Sequence, residues 1–239
     1  MNYMLSQDQI KNLRNRFQTT EVNIRREYFQ HLFLSYFYQQ PQTLNIFFKG
    51  GTALRLLYNS PRFSEDLDFS TTYVDIKEIE EAVLNTLHDI QRENITLELQ
   101  ESKLTTGGYL GTIEFENSIP ILLQISLRQG DKKGQIITVP NDFIPSYTIT
   151  SLDQKQLVGE KLQAFFDRKK PRDFYDLYFM LRANLLTQEN RVILKQALEI
   201  LDKTDINFEA ELKQFLPKSH WLIIKDFKAT LEREINRFI

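Results

Sequence analysis

The chain has 239 residues, of which 41% are apolar and 26% charged, and its formal net charge is −2. This balance is typical of a globular protein with one large domain or two small ones, and it gives no global positive field that would point to a polyanionic partner. The absence of cysteine excludes disulfides, thiolate metal sites and cysteine nucleophiles.

Composition also bears on where the protein acts. The N-terminal segment MNYMLSQDQIKN lacks the apolar core of a signal peptide. No run approaches the roughly 18 apolar residues of a membrane span. A chain without cysteine fits a reducing compartment. We therefore expect a cytoplasmic protein that makes no use of a membrane.

The first half of the chain predicts helices interrupted by two short strands. Ser6 with Gln9 resembles a capping box at the first helix. An apolar run ends at Gly50-Gly51, which is typical of a buried strand entering a tight turn, and Thr52 suits the N-cap of the helix that follows. The predicted elements are helices over 6–18 and 20–39, a strand over 44–48, a helix over 52–58, a strand over 63–70 and an amphipathic helix over 75–92.

The second half predicts strands and then helices. Alternating apolar residues and turn glycines predict strands over 95–102, 109–117, 119–129 and 135–140. From about residue 151 to the end, the apolar spacing is close to the helical period. The sequence therefore predicts an α+β fold. Its core and helical arm would occupy residues 1–150, and a helical C-terminal part would occupy residues 151–239.

Two aspartates, Asp66 and Asp68, stand one residue apart on the predicted strand over 63–70. Residues i and i+2 of a strand point to the same side, so the two carboxylates would repel unless a cation lay between them. Mg²⁺ prefers oxygen ligands of this kind and is common where phosphoryl or nucleotidyl groups are transferred. A solvated strand face is the alternative, because D-x-D occurs often by chance.

The Gly50-Gly51 pair lies between a predicted strand and a predicted helix. Without side chains, the backbone N–H groups there can close on a triphosphate at the helix N-terminus. An ordinary turn would explain the pair alone, and the chain has neither a Walker A loop nor a dinucleotide fingerprint. The ordered combination of strand, Gly-Gly, helix, turn and D-x-D is more specific than either part.

These segments resemble a known family. The stretch KGGTALRLLY…RFSEDLDFS is similar to the nucleotidyltransferase signature of the DNA polymerase β-like superfamily, and more closely to the AbiEii/MenT family, the toxins of type IV toxin–antitoxin and abortive-infection systems. GEKLQAFFDRKKPRDFYDLYFML (159–181) is similar to that family's lysine helix and R-D-x-x-D motif. The resemblance covers roughly residues 20–185. It implies a polymerase β-like core, with a mixed sheet flanked by helices and a helical C-terminal part that contributes Lys and Asp to the cleft.

The resemblance also implies roles for individual residues. Those expected to hold or neighbour the nucleotide phosphates are Gly50, Gly51, Thr52, Arg62, Ser64 and Lys161. Those expected to bind Mg²⁺, or Mn²⁺ in its place, are Asp66 and Asp68. Asp173 or Asp176 would complete the site by activating the acceptor hydroxyl.

Simpler explanations exist for the C-terminal motif. Lys161 lies among apolar helix positions, from which a lysine can extend to solvent without a function. Arg172 and Asp176 are spaced as an exposed helical ion pair. The basic cluster, defined as Arg168, Lys169, Lys170 and Arg172, is either a solvated face or a contact for an RNA acceptor.

One departure from the superfamily pattern concerns its third carboxylate. The matching strand ILLQISLR presents Gln124 where an acid is expected, and Glu114 is a less suitable substitute. A neutral amide binds Mg²⁺ less tightly and cannot act as a base at neutral pH. Catalysis would then depend on the two aspartates with Asp173 or Asp176, or activity would be reduced.

The resemblance implies an enzyme that transfers NMP from an NTP to an acceptor hydroxyl and releases pyrophosphate. The acceptor would be the tRNA 3′ end, and a separately encoded antitoxin would restrain the toxin. Two alternatives stay open. One is nucleotidyl transfer to a small molecule or a protein side chain, which the net charge of −2 slightly favours. The other is a catalytically weak nucleotide-binding module, which Gln124 suggests.

Overall fold

The structure is a computed structural model that describes residues 5–72, 75–116, 119–127 and 131–239. Its strands are β1 (Ile46–Lys49), β2 (Leu67–Thr71), β3 (Leu97–Thr105), β4 (Gly108–Phe115), β5 (Ile119–Leu127), β6 (Gly134–Val139) and β7 (Tyr147–Leu152). Its helices up to residue 91 are α1 (Gln7–Phe17), α2 (Glu21–Phe37), α3 (Gly50–Tyr58) and α4 (Ile76–Gln91). The later helices are α5 (Gln154–Arg168), α6 (Pro171–Arg182), α7 (Gln188–Arg191), α8 (Leu194–Asp202), α9 (Phe208–Leu212), α10 (Trp221–Lys225) and α11 (Phe227–Asn236). Arg128 and the predicted strand ends at 117 and 128–129 lie outside the described residues.

The strands form one mixed sheet in the order β3-β4-β5-β2-β1-β7-β6. Strand β1 pairs antiparallel with β2 and parallel with β7, and β2 pairs parallel with β5. The remaining neighbours are antiparallel. The predicted α+β fold with a mixed sheet is confirmed, and β1 and β2, which precede and carry the two candidate motifs, are adjacent near its centre.

Helix α2 is buried on nearly all sides against this sheet. Its sequence, EVNIRREYFQHLFLSYF, is rich in aromatic residues all around the helix, which is the pattern of a core helix rather than a surface one. Phe29 packs on Phe115 of β4, and Phe37 packs on Phe69 of β2. This packing holds β2 from one face and leaves the other face for the site.

Two predicted boundaries near the motifs are wrong. The strand predicted over 63–70 begins only at Leu67, because the carbonyl oxygens of Ser64 and Glu65 accept hydrogen bonds from buried Gln30 of α2 instead of from a neighbouring strand. Asp66 therefore precedes the strand. Helix α3 begins at Gly50 with Lys49 as its N-cap residue, rather than after Thr52.

The predicted helical pattern from about residue 151 overlooks strand β7, which lies between β1 and β6. The boundary predicted between residues 150 and 151 falls inside this strand. One hydrophobic cluster includes Phe69 of the N-terminal part and Phe165 and Phe174 of the C-terminal part. The residues before and after position 150 thus share a core. No helix in the described part of the chain is long and apolar enough to cross a bilayer.

Candidate active site

The chain passes from strand to helix without an intervening loop, because β1 ends at Lys49 and α3 begins at Gly50. Gly50 has a φ of 86°, a left-handed conformation that glycine adopts readily. A methyl group at Gly50 would overlap the Asp68 carboxylate. The missing side chain therefore lets Asp68 lie directly against the backbone of the turn.

Gly51, the next residue, is surrounded by three polar side chains. A Cβ atom at this position would lie 2.6 Å from Arg62 Nη2, 2.7 Å from Ser64 Oγ and 3.5 Å from Lys161 Nζ. The side chain of the N-cap residue Lys49 does not cap α3, so the first N–H groups of the helix are left for another acceptor. Two cations, a hydroxyl and a helix N-terminus around one glycine make a site suited to phosphate.

The acidic pair combines one strand residue with one loop residue. Asp68 is the second residue of β2, whereas the main-chain oxygen of Asp66 accepts a hydrogen bond from Thr52 Oγ1 of α3. Burial raises the pKa of the Asp66 carboxyl, and the nearby charge of Asp68 raises it further. The two carboxylates therefore repel each other, and a cation between them would relieve the repulsion.

Asp176 holds both cations that surround Gly51, namely Arg62 and Lys161. Its Oδ1 accepts from Arg62 Nε at 2.8 Å, and its Oδ2 accepts from Arg62 Nη2 at 3.0 Å and from Lys161 Nζ at 2.7 Å. Burial alone would raise the pKa of Asp176, but the charges of Arg62 and Lys161 outweigh it and lower that pKa to about 2. Asp176 is therefore a permanent anion that fixes Arg62 and Lys161 beside Gly51.

Asp173 has a different set of contacts. Its Oδ1 accepts from Arg168 Nη2 at 2.6 Å, and its Oδ2 accepts from the Lys170 backbone N–H at 3.2 Å, which caps the start of α6. The sequence also suggested an ion pair between Arg172 and Asp176, and this pairing is wrong. Asp176 pairs with Arg62 and Lys161, and Arg172 Nη1 lies 4.0 Å from Asp66 Oδ2 instead.

A cleft with a volume of about 150 Å³ opens beside Asp68, between the sheet and α5. Gln124 of β5 lines it and pairs in register with Asp68 of β2. This is the position at which the sequence comparison expected a third acid. Glu114 does not replace it, because Glu114 lies opposite Pro120, four residues from Gln124 along β5, or about 13 Å at the usual rise of a strand.

Sequence reasoning missed three charged residues around this cleft. Lys49 and Glu160 line it and form an ion pair of 2.6 Å, and Lys132 Nζ lies 3.1 Å from the same Glu160 carboxylate. A local signal existed for two of them, since Lys49 directly precedes the glycine pair and Glu160 directly precedes Lys161. The pairing itself joins residues 111 positions apart, which no local spacing encodes.

Two cations, a hydroxyl and a helix N-terminus beside an acidic pair are the arrangement that the sequence led us to expect of a nucleotidyltransferase. Over residues 32–236, the sequence matches the family described as nucleotidyl transferase AbiEii toxin of type IV toxin–antitoxin systems. That span covers most of the chain, which therefore belongs to the AbiEii nucleotidyltransferase toxin family. Membership implies an NTP substrate, a divalent metal and an antitoxin partner.

Solved structures with the same fold include proteins from two organisms. MenT4, the nucleotidyltransferase toxin Rv2826c of Mycobacterium tuberculosis H37Rv, superimposes with a TM-score of 0.62 at 17% identity, covering 97% of this chain and 94% of its own. JHP933 from Helicobacter pylori gives 0.59 at 21% identity, covering 92% and 95%. A putative nucleotidyltransferase from H. pylori gives 0.57 at 21% identity, covering 92% and 99%. At these identities the likeness establishes the fold alone. The chain has no significant match among curated proteins.

Proposed function

We propose that the protein transfers a nucleoside monophosphate from an NTP to an acceptor hydroxyl in a Mg²⁺-dependent reaction. The observation that carries this proposal is the position of Arg62, Ser64 and Lys161 around Gly51, one residue from the glycine that touches Asp68. Groups that suit a triphosphate and groups that suit a divalent cation are thereby brought within one nucleotide's length of each other.

The acidic pair fits Mg²⁺. Its carboxylate oxygens are the ligands that this ion prefers. Burial first and the charge of Asp68 second raise the pKa of Asp66, and a cation between the two carboxylates would reduce their repulsion. The described ranges contain no cluster of three or more His, Asp or Glu side chains that could hold a metal. Mg²⁺ commonly uses one or two protein carboxylates and completes its shell with water and substrate phosphate. Asp66 and Asp68 would hold the ion, which would supply charge neutralisation at the reacting phosphate.

The other residues bind and orient the donor. The N-terminus of α3 and the side chain of Ser64 would donate hydrogen bonds to phosphate oxygens, and Arg62 and Lys161 would offset their negative charge. The oxygen of the acceptor hydroxyl then forms a bond to the α-phosphorus and gives up its proton to solvent. The bond between the α-phosphorus and the α,β-bridging oxygen breaks, so that pyrophosphate leaves. The binding groups are held in place by the fold itself. They would therefore catalyse the reaction by positioning the donor and by stabilising the charge of its phosphates.

Asp173 and Asp176 support this site by holding other residues. Every oxygen of the two carboxylates accepts at least one hydrogen bond, from Arg168 and Lys170 for Asp173 and from Arg62 and Lys161 for Asp176. The family resemblance suggested that Asp173 or Asp176 activates the acceptor hydroxyl. These contacts instead favour a role in positioning the neighbouring cations.

The proposed acceptor is the tRNA 3′ end. The basic cluster of residues 168–172 supports it, because three of its members are exposed and the fourth, Arg172, lies beside Asp66. An exposed basic surface next to the reacting groups would attract a nucleic-acid backbone. A separately encoded antitoxin would restrain this activity, and the cytoplasmic location expected from the sequence stays a prediction.

The test is a labelling assay with each of the four α-labelled NTPs in turn. The purified protein is incubated with Mg²⁺ and with total RNA, total protein or small-molecule extracts, and the Asp68→Asn variant serves as the inactive control. We expect a labelled band of tRNA size that disappears with Asp68→Asn or with EDTA. If only proteins or small molecules are labelled, the proposed tRNA acceptor is wrong. If no acceptor is labelled, the proposed reaction is refuted. Repeating the assay with Mn²⁺ compares the two ions.

A further inference from the structure

Glu160 lines the cleft and makes three contacts with residues outside its own helix. Its Oε2 accepts from Lys49 Nζ at 2.6 Å, and its Oε1 accepts from Lys132 Nζ at 3.1 Å and from Ser70 Oγ at 3.4 Å. Burial alone would raise the pKa of Glu160, but the charges of Lys49 and Lys132 outweigh it and hold that pKa below its usual range. Glu160 is therefore ionised at neutral pH.

Lys49 stands beside the metal-binding candidates. It pairs directly with Asp68 across β1 and β2, and Asp68 pairs with Gln124 across β2 and β5. Directly paired residues of neighbouring strands project from the same face of a sheet. Lys49, Asp68 and Gln124 therefore form one row, with Asp68 in the middle and a cation on one side of it.

The position of Lys49 in the chain places it next to the phosphate site as well. It is the residue immediately before Gly50-Gly51 and the N-cap residue of α3. Its side chain is only 10% exposed and lines the cleft with Asp68 and Lys161. An ammonium group with this little exposure is held in one place, unlike a surface lysine.

Glu160 has two cationic partners. The ammonium groups of Lys49 and Lys132 share its one carboxylate. An ion pair that served only to join α5 to the sheet would need one lysine. Of the two lysines, Lys49 is the one that lines the cleft, together with Asp68 and Lys161.

We propose that Lys49 contacts the phosphates of the donor nucleotide as a second lysine beside Lys161, and that Glu160 is the positioning residue that holds it there. This inference rests on the proposed function and assigns two residues that the nucleotidyltransferase motifs leave without a role. The competing explanation is that the pair only fastens α5 to β1.

The experiment measures binding of α,β-methylene analogues of the four NTPs with Mg²⁺, together with KM and kcat in the labelling assay. Loss of a charge-assisted hydrogen bond to phosphate in Lys49→Met should weaken binding by about tenfold to a hundredfold and raise KM more than it lowers kcat. Glu160→Gln should weaken binding by a smaller factor, and Lys49→Arg should restore much of it. The matched controls are Lys155→Met and Glu189→Gln, which remove an exposed ion pair of 2.8 Å between α5 and α7 and should leave binding unchanged.

A double-mutant cycle separates the two explanations. If Glu160 acts through Lys49, adding Glu160→Gln to Lys49→Met should change the dissociation constant by less than about twofold. Unchanged nucleotide binding in Lys49→Met, with only a lower melting temperature, would overturn the inference.

Failure of the inference is distinguishable from failure of the proposed function. A wild-type protein that transfers nucleotides while Lys49→Met behaves like it overturns the role of Lys49 alone. A wild-type protein that transfers nothing, but whose analogue binding depends on Lys49 and Glu160, overturns the reaction and supports the binding role.

Discussion

Replacement of Asp176 by asparagine probes the buried centre of the site most directly. The side chain of Asp176 is 2% exposed and that of Arg62 is 4% exposed, and Lys161 completes the group at 10%. Asparagine keeps the size of the side chain but removes the charge that both cations need. We expect the variant to fold less stably and to lose nucleotide transfer, because Arg62 and Lys161 lose the anion that holds them beside Gly51.

The magnitude follows from the contacts. A pKa of about 2 in place of 3.8 for Asp176 corresponds to about 2 kcal/mol in favour of its charged form. Asparagine loses this stabilisation and also presents an N–H group where oxygen accepted hydrogen bonds. Breaking a buried ion pair from one side typically costs about 3–5 kcal/mol, and we expect a loss in that range.

The assay is urea denaturation at pH 7, followed by circular dichroism, of the wild type, Asp176→Asn and the control Asp167→Asn, whose side chain is exposed on α5. An apolar replacement of Arg62 and Asp176 together, Arg62→Met with Asp176→Leu, should cost less than Asp176→Asn alone. Lys161 loses its partner in both variants, but only the single variant leaves the buried charge of Arg62 unpaired. A loss below about 1 kcal/mol for Asp176→Asn, similar to that of the control, would refute the reasoning.

Three further changes have defined outcomes. Gly51→Ala places a methyl group 2.6 Å from Arg62 Nη2, so it should raise KM for NTP without preventing folding, since the displaced atoms are side-chain ends; an unchanged KM would contradict the phosphate site. Gln124→Glu adds a third carboxylate beside Asp68 and should lower the Mg²⁺ concentration for half-maximal activity, and a Mg²⁺ titration that does not shift would show that position 124 lies away from the ion. Burial and the charge of Arg55 lower the pKa of His31 to about 3 from 6.5, so the unfolded chain binds a proton below pH 6.5 that the folded chain does not. Stability should therefore fall as the pH drops, by about 1.4 kcal/mol per unit from this residue, and His31→Leu should flatten the slope between pH 6 and 5; equal slopes would argue against a neutral buried imidazole.

Local pattern predicted the parts of the fold and site that are encoded within a short stretch. Alternation and turn glycines predicted the β3–β4–β5 meander. The ordered motifs, and the family that they resemble, identified the glycine turn, Asp68 and Lys161 as candidate site residues. The contacts that complete the site join distant segments, such as Arg62 with Asp176, which are 114 positions apart. Neither partner of such a pair alters the spacing around the other, so a single sequence carries no sign of it.

The two errors near the site have separate physical causes. Residues 63–66 alternate like a strand, yet Gln30, a polar residue within an aromatic helix, takes up their carbonyl groups. Strand β7 contains three consecutive β-branched residues, Thr148, Ile149 and Thr150, but it ends only two residues before α5 begins, and the helical pattern there dominated the prediction. Tertiary hydrogen bonding therefore decided the outcome over local preference at residues 63–66, whereas at β7 one local pattern obscured another.

The direct passage from β1 into α3 has a mechanical consequence. A helix that continues a central strand cannot swing as a lid, because any rotation of α3 would have to break the pairing of β1 with β2 and β7. Closure around a bound donor would have to come from the opposite wall, where α5 and α6 carry Lys161 and its counter-ion. An inhibitor that held α5 and α6 away from the sheet would block activity without changing the glycine turn.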